Sequence, residues 1–223
     1  MTQATSVKRI VVGISGASGI RYGIRILEVL RTLGVETHLV VTKAAEQTRA
    51  LETNVSSRAL GAMATFKYSV TDISAPIASG SFRTLGMIVA PCSMRTLAEI
   101  ASGVTSSLLS RAADVVLKER RKLVLVVREA PLSSIHLRNM LTVSDAGAVV
   151  IPPVVGFYSK PKTLDDVVDH HVARILDQFD IEMPGARRWG DRVASPDRGS
   201  DGHPRSSPSD VQAEERYQTA VWP

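Results

Sequence analysis

The sequence predicts an α/β domain whose parallel sheet is covered by helices on both faces. Three observations carry this reading. Apolar runs alternate along the chain with helical patterns, a βαβα rhythm. The strand candidates are continuously apolar instead of alternating, as expected of strands buried on both faces. Between the first strand and the first helix lies a glycine-rich turn, Gly13-Ile14-Ser15-Gly16-Ala17-Ser18-Gly19.

The elements follow in order. Residues 8–14 contain Arg9-Ile10-Val11-Val12, with the β-branched content of a buried strand. A helix over 20–33 places Ile24, Leu27, Leu30 and Leu33 on one face. Thr-His-Leu-Val-Val-Thr at 37–42 is the second strand, followed by a helix over 43–52. A third strand spans 85–90 (Leu-Gly-Met-Ile-Val-Ala), with helices over 94–102 and 106–120 behind it. Leu-Val-Leu-Val-Val at 123–127 and Ala-Val-Val-Ile at 148–151 complete the strands, with helices at 133–145 and 163–179. From about Pro184 the apolar period disappears, and residues 184–223 carry six basic and six acidic side chains. The expected organisation is one domain over 1–183 and a polar, partly disordered C-terminal arm over 184–223, which holds both tryptophans, Trp189 and Trp222.

A chain of 223 residues, 44% hydrophobic and 22% charged, suits a single globular domain with a substantial core. The formal charge of +5 is modest and its basic residues are scattered, so no nucleic-acid partner is expected. The apolar runs are far shorter than the ~20 residues a membrane-spanning helix needs. No signal-like segment opens the chain, and Cys92 is its one cysteine. A cytoplasmic protein with no membrane partner is the natural expectation.

Ligands of parallel sheets bind beyond the carboxyl ends of the strands, which selects the loops at 15–19, 42–46, 91–96, 128–133 and 152–160. The first is either an anion site at a helix N-terminus or a tight turn that binds nothing. Its glycines fall as G-x-x-G-x-x-G, against the dinucleotide spacing, so Glu36 is discounted as a ribose ligand. In Ala90-Pro91-Cys92-Ser93-Met94-Arg95-Thr96, Pro91 is expected to end the strand. Ser93 and Thr96 can cap the next helix or hold a ligand. Cys92 reads as a small buried residue. Arg128-Glu129-Ala130-Pro131 aims a phosphate clamp and a carboxyl at the ligand edge; Glu129 reads as an ion-pair partner or a proton donor. His136 reads as a packed, hydrogen-bonded histidine, and Gly156-Phe157-Tyr158-Ser159-Lys160-Pro161 as a lid or a plug. His170 and His171 face different directions on one helix, and no metal-binding motif occurs, so no metal site is expected.

In order and spacing these segments resemble the UbiX-type flavin prenyltransferases. The pieces include Gly16-Ala17-Ser18-Gly19, Thr42-Lys43, Glu52-Thr53, Pro91 through Leu97, Arg111-Ala112-Ala113-Asp114 and Lys118-Glu119-Arg120-Arg121. Arg128-Glu129-Ala130-Pro131, Ser133-Ser134-Ile135-His136, Gly156-Phe157-Tyr158 and Val172-Ala173-Arg174 continue the set, which covers about residues 8 to 182. The resemblance implies a three-layer Rossmann/flavodoxin-like sheet of the flavin-binding cysteine-decarboxylase fold, assembled as a homododecamer with sites across subunit interfaces. It implies metal-independent transfer of a dimethylallyl group from dimethylallyl phosphate to N5 and C6 of reduced FMN. The product, prenyl-FMN, would serve a UbiD-type decarboxylase.

By the same resemblance Gly16, Ala17, Ser18, Thr42, Ser93, Met94, Arg95, Thr96 and Arg128 would bind FMN. Ser18 and Glu52 would handle protons near N5. Lys118, Arg128, Glu129, Tyr158 and Arg174 would surround the substrate phosphate, with Lys118, Glu129 and Tyr158 counted as catalytic. The chain departs from the pattern at Arg95 and at Ile73, where some members carry an aromatic residue. Ser79 through Thr84 and Pro152-Pro153 look most like the branch associated with phenolic-acid decarboxylases. Two other functions remain open: direct decarboxylation of an aromatic acid, or a non-enzymatic flavin carrier.

Overall fold

The computed structural model describes residues 7–186, 188 and 189. Six parallel strands form one sheet in the order β3-β2-β1-β4-β5-β6. They are β1 (Arg9–Ile14), β2 (Glu36–Val41), β3 (Phe66–Tyr68), β4 (Gly86–Cys92), β5 (Lys122–Val127) and β6 (Val149–Val150). The chain winds outward from β1 in one direction through β2 and β3, then returns and winds the other way. The order therefore reverses between β1 and β4, and a crevice opens there at the carboxyl edge.

Alternate strand residues feed two cores, one on each face. Ile10, Val12, Ile14, Ile88, Val124 and Val126 are buried with Ile24 and Leu27 of α1 (Ile20–Thr32) and Val172 and Leu176 of α7 (Leu164–Asp177). Val11, Met87, Val89, Leu123, Leu125 and Val127 are buried with Leu97 of α4 (Met94–Ala101) and Leu109 and Ala113 of α5 (Leu108–Lys118). Burial on both faces explains why these strands read as unbroken apolar runs.

Helix starts explain the rest of the punctuation. Thr42 caps α2 (Lys43–Glu52), Ser93 caps α4, Ser107 caps α5, Ser133 caps α6 (Ser134–Asp145) and Thr163 caps α7. Each accepts a hydrogen bond from a backbone N–H in the first turn. His136 is part of the α6 capping box, its Nδ1 accepting from the Ser133 N–H at 3.2 Å.

The sequence reading missed β3 and α3 (Ser57–Met63). Both are too short to show a period, three and seven residues. Pro91 also departs from expectation. It lies inside β4, where the pairing register with β5 shifts between Val89 and Cys92, and there a missing N–H breaks no ladder bond. Ala186 packs on the core and Arg188 pairs with Asp177 at 2.6 Å, so the described part of the expected arm lies on the domain. Trp222 and the rest of that arm, from residue 190 on, lie outside the described residues.

Candidate active site

The crevice is pinned by Ser15, buried at 1% exposure just beyond β1. Its hydroxyl donates to the Pro91 carbonyl at 3.0 Å and accepts from the Ser93 N–H at 2.8 Å. The Ser15 N–H donates to the same Pro91 carbonyl at 3.2 Å. One side chain thus locks the loop after β1 to the loop after β4.

On one side of this lock lies a cavity of about 480 Å³, within the size range of small-molecule sites. Gly16, Thr42, Ser93, Met94, Arg95, Thr96 and Glu129 all line it. Two capped helix N-termini, α2 behind Thr42 and α4 behind Ser93, meet there. Their dipoles favour an anion. Gly16 is required by packing: a Cβ there would lie 2.3 Å from the Ala44 Cβ. Ala17 is buried in the floor of the loop, its N–H donating to the Ser15 carbonyl at 2.9 Å. Arg95 is exposed and pairs with Glu99 at 3.0 Å on the cavity rim. Hydroxyls of Thr71, Ser106 and Ser107 add polar groups to the wall. A phosphate-bearing, partly polar, planar ligand such as FMN fits these residues.

A second cavity of about 420 Å³ adjoins, lined by Ser18, Tyr22, Arg128, Glu129, Pro153 and Val154 among others. Glu129 belongs to both cavities. Arg128 crosses the sheet edge, its Nε donating to the Ser18 carbonyl at 3.1 Å. Glu52 reaches the same loop from the end of α2. Its Oε2 accepts from the N–H groups of Gly19 at 2.9 Å and Ile20 at 3.2 Å. Gly19 has no side chain to cap α1, so Glu52 does so from a distance in sequence. Partial burial pushes the Glu52 carboxyl up, but the Ser18 hydroxyl, the two N–H groups and the Arg128 charge outweigh it. The net result lies below the ordinary glutamate value, and Glu52 is a carboxylate.

The remaining predicted residues stand apart. Tyr158 lies in a 3-10 turn (Phe157–Ser159) and hydrogen-bonds His170, while Arg174 pairs with Asp177 at 3.4 Å. Lys118 ends α5 and pairs with Glu119 at 2.6 Å, next to the start of β5 and thus at the opposite edge of the sheet. Among the described residues, no hydrogen bond, ion pair or ring contact joins Lys118, Tyr158 or Arg174 to Ser18, Arg128 or Glu129. One chain therefore brings together the flavin-side residues and Glu129 but leaves three of the expected phosphate ligands outside the crevice.

Cys92, Phe157 and His171 also have defined places. Cys92 is fully buried and its thiol is pushed up to about 12 by burial, which makes it inert. Phe157 is 81% exposed and plugs nothing. His171 lies with Nε2 2.7 Å from the Val154 carbonyl oxygen and Nδ1 2.7 Å from that of Val167, and its single N–H in the neutral ring donates to one of them, beside the wall of the second cavity. Among the described residues no group of side chains could hold a metal ion, and no helix is long and apolar enough to cross a membrane. The role of Ser15 escaped the sequence reading, because one hydroxyl in a glycine-rich turn carries no signal of what it bridges.

A model of the flavoprotein family matches residues 1–176. The chain is 55% identical over 183 residues to a protein of Neisseria meningitidis serogroup B named flavin prenyltransferase UbiX, covering 82% of this chain and 97% of that one. It is also similar to AnUbiX (PadA1), solved in complex with FMN and dimethylallyl pyrophosphate. That match has a TM-score of 0.81 at 53% identity, covering 82% of this chain and 97% of the other. A dodecameric FMN-dependent UbiX-like decarboxylase from Escherichia coli O157:H7 matches with a TM-score of 0.80 at 55% identity, over 81% and 98% of the two chains. The paired cavities on a reversed parallel sheet and these likenesses agree, and the chain belongs to the flavoprotein family as a UbiX-type flavin prenyltransferase.

Proposed function

We propose that this protein joins a dimethylallyl group from dimethylallyl phosphate to reduced FMN, making prenyl-FMN for a UbiD-type decarboxylase. The observation that carries the reading is the pair of adjoining cavities sharing Glu129, one bounded by two helix N-termini and the other by a cation. Two anionic small molecules can lie side by side there. AnUbiX was solved with two such molecules. Relatives named as prenyltransferases at 55% identity favour this reading over direct decarboxylation or a non-enzymatic carrier.

When bound, reduced FMN would supply N5 to displace phosphate from the CH2 carbon and C6 to bond the dimethyl-bearing carbon, with a proton delivered to the alkene and one lost from C6. The chain's own residues do the rest. Gly16, Ala17, Thr42, Ser93, Met94, Arg95 and Thr96 form the cofactor wall, and the backbone around Ser18 faces the second cavity. Breaking the allylic C–O bond leaves negative charge on the phosphate, so a cation and an acid are needed on the leaving group. Arg128 is fixed by the Ser18 carbonyl and can hold the phosphate. Glu129, between the cavities, is placed to give the leaving oxygen a proton. Glu52, held as a carboxylate by the α1 N-terminus, is the base in this reading and takes a proton through the Ser18 hydroxyl.

Lys118, Tyr158 and Arg174 complete the phosphate shell in this reading, supplied by neighbouring copies. Leu132, Ile135, Leu137 and Leu141, on and just before α6, are 43–63% exposed, and Val143 is the one residue that α6 itself buries. Of these, Leu137 and Leu141 lie one turn apart and share a face; an exposed apolar face marks a protein interface, and a dodecamer like that of the Escherichia coli relative would cover it. A single buried cysteine suits a reducing compartment, and we assign the protein to the cytoplasm. We also read 1–183 as the catalytic domain and 184–223 as its C-terminal arm.

The test is anaerobic incubation of the pure protein with FMN, a reductant and dimethylallyl phosphate. A flavin heavier by one C5 unit is expected. Recovery of unmodified FMN, or carbon dioxide release from a phenolic acid by the protein alone, would overturn the assignment.

A further inference from the structure

His170 is a group that the reaction as described above does not use. It lies on α7 against Tyr158, its Nε2 at 2.8 Å from the tyrosine hydroxyl. The two rings meet edge to face, centroids 5.4 Å apart at 79°. Trp189 closes the other side of Tyr158 in a similar contact at 5.2 Å. The other ring nitrogen, Nδ1, is buried and has no hydrogen-bond partner. Gly156 makes room for the pair: a Cβ there would lie 2.9 Å from the His170 Cε1 and 3.1 Å from the Tyr158 Cε1.

A neutral imidazole carries one N–H. On Nδ1 that proton would be a buried donor with nothing to accept it; on Nε2 it meets the tyrosine oxygen. Burial, with the neighbouring His171 and Arg174, holds the His170 pKa below the ordinary histidine value, which keeps the ring neutral. A tyrosine hydroxyl whose oxygen already accepts one hydrogen bond must send its own proton elsewhere. Arg174, one turn along α7 from His170, lies on the same helical face.

We propose that His170 is a positioning residue for prenyl transfer: its Nε2–H donates to the Tyr158 oxygen and aims the tyrosine proton at the phosphate of the allylic substrate. This inference rests on reading Tyr158 as a phosphate ligand. Tyr158 is then a fixed donor, unable to rotate into accepting from water.

Four variants decide the matter: His170→Phe, His170→Gln, Tyr158→Phe and the double His170→Phe/Tyr158→Phe. Two readouts are taken on FMN-loaded protein, the kcat and KM for dimethylallyl phosphate, and its Kd on the oxidised, non-reacting complex by calorimetry. His170→Phe keeps a ring but no donor, and a lost hydrogen bond raises KM and Kd about fivefold with kcat little changed. His170→Gln places an amide N–H near the Nε2 position and restores both to within about twofold of wild type, whereas a packing role would favour phenylalanine. The double variant matches Tyr158→Phe alone, as coupled partners do. A wild-type Kd for His170→Phe beside a weakened Tyr158→Phe would overturn the inference and leave the tyrosine's role standing. A wild-type Kd for Tyr158→Phe would overturn the phosphate-ligand reading itself. Glutamine as impaired as phenylalanine would also refute the hydrogen bond. Should His170→Phe fail to fold, Gly156→Ala separates the rings with both side chains retained; it is expected to raise KM by a similar factor, and an unchanged KM would overturn the proposal.

Discussion

Replacing Ser15 by alanine tests whether one buried hydroxyl holds the flavin cavity together. The substitution removes two hydrogen bonds, to the Pro91 carbonyl at 3.0 Å and from the Ser93 N–H at 2.8 Å. The Pro91 carbonyl keeps the Ser15 N–H as a donor, so it is not orphaned. The Ser93 N–H has no second acceptor and bears the loss. Leaving such a group unsatisfied costs about 1–3 kcal/mol, and water reaching half-buried Ser93 brings this to about 1–2 kcal/mol. For a domain of this size that lowers Tm by about 2–8 °C. Ser93 still caps α4 through the Thr96 N–H, so the helix persists while the loop loses its anchor. FMN affinity is expected to fall about tenfold, the equivalent of one misplaced charge-assisted contact. Thermal melts of the apo protein by circular dichroism and titration of FMN fluorescence measure both effects. An apo Tm within about 1 °C of wild type, together with unchanged FMN binding, would refute the argument that Ser15 locks the two loops.

Gly16→Ala should keep the fold but push α2 away from the loop, since the new Cβ starts 2.3 Å from the Ala44 Cβ. FMN binding about tenfold or more weaker is expected, and an unaltered Kd would contradict the packing argument. Acid should destabilise the protein through β2. Burial keeps the pKa of His38 (2% exposed) below 6.5, so its contribution is intact above that pH and lost as pH falls through the folded value. Glu36 follows the same sign from 4.5 downward: burial raises its pKa, but bonds from Arg9 and His38 lower it further, to a net depression. Urea midpoints that stay flat from pH 7 to about pH 5 would exclude the His38 effect, and midpoints flat from there to about pH 3 would exclude that of Glu36. Cys92 should resist alkylation in the native protein at pH 8 and react only on unfolding; rapid labelling of the folded chain would show that its burial is misjudged. Leu137→Glu on the exposed α6 face should shift the assembly to smaller species in sedimentation, and an unchanged assembly would move the interface elsewhere.

The sheet was legible because its strands announce themselves by burial: Ile10, Val12 and Val11 are apolar in succession since each face has its own core. The start of α4 was legible through Ser93, whose cap is local chemistry, and Thr42, Ser133 and Thr163 carry the same local signal. What escaped was non-local or short. Glu52 caps α1 from 33 positions away, and the Ser15 hydroxyl spans 76 and 78 positions to Pro91 and Ser93. No pattern within a window of a dozen residues contains such pairs. Pro91 misled because a proline after an apolar run is a good stop signal on average, while a register shift beside β5 makes it harmless here. For the candidate site, residues named through the family resemblance fall into two sets. Those of the first four carboxyl-end loops converge in one chain, whereas Tyr158 of the fifth, and Lys118 and Arg174 on helices, do not.

That division has a physical logic. A leaving phosphate released next to a flavin ring is a second strong anion in addition to the cofactor's own phosphate, and each needs fixed positive charge. A single crevice at the β1/β4 reversal can draw on few elements, and its own side chains supply Arg128, with Arg95 and Lys43 at the rim of the flavin cavity. Cations carried on the far edge of the sheet, as Lys118 is, satisfy the requirement only when another copy brings that edge to the crevice. The same chain leaves an apolar α6 face exposed. In the proposed reading, burying that face would supply free energy of association and association would supply the missing charge, so assembly and catalysis would depend on each other.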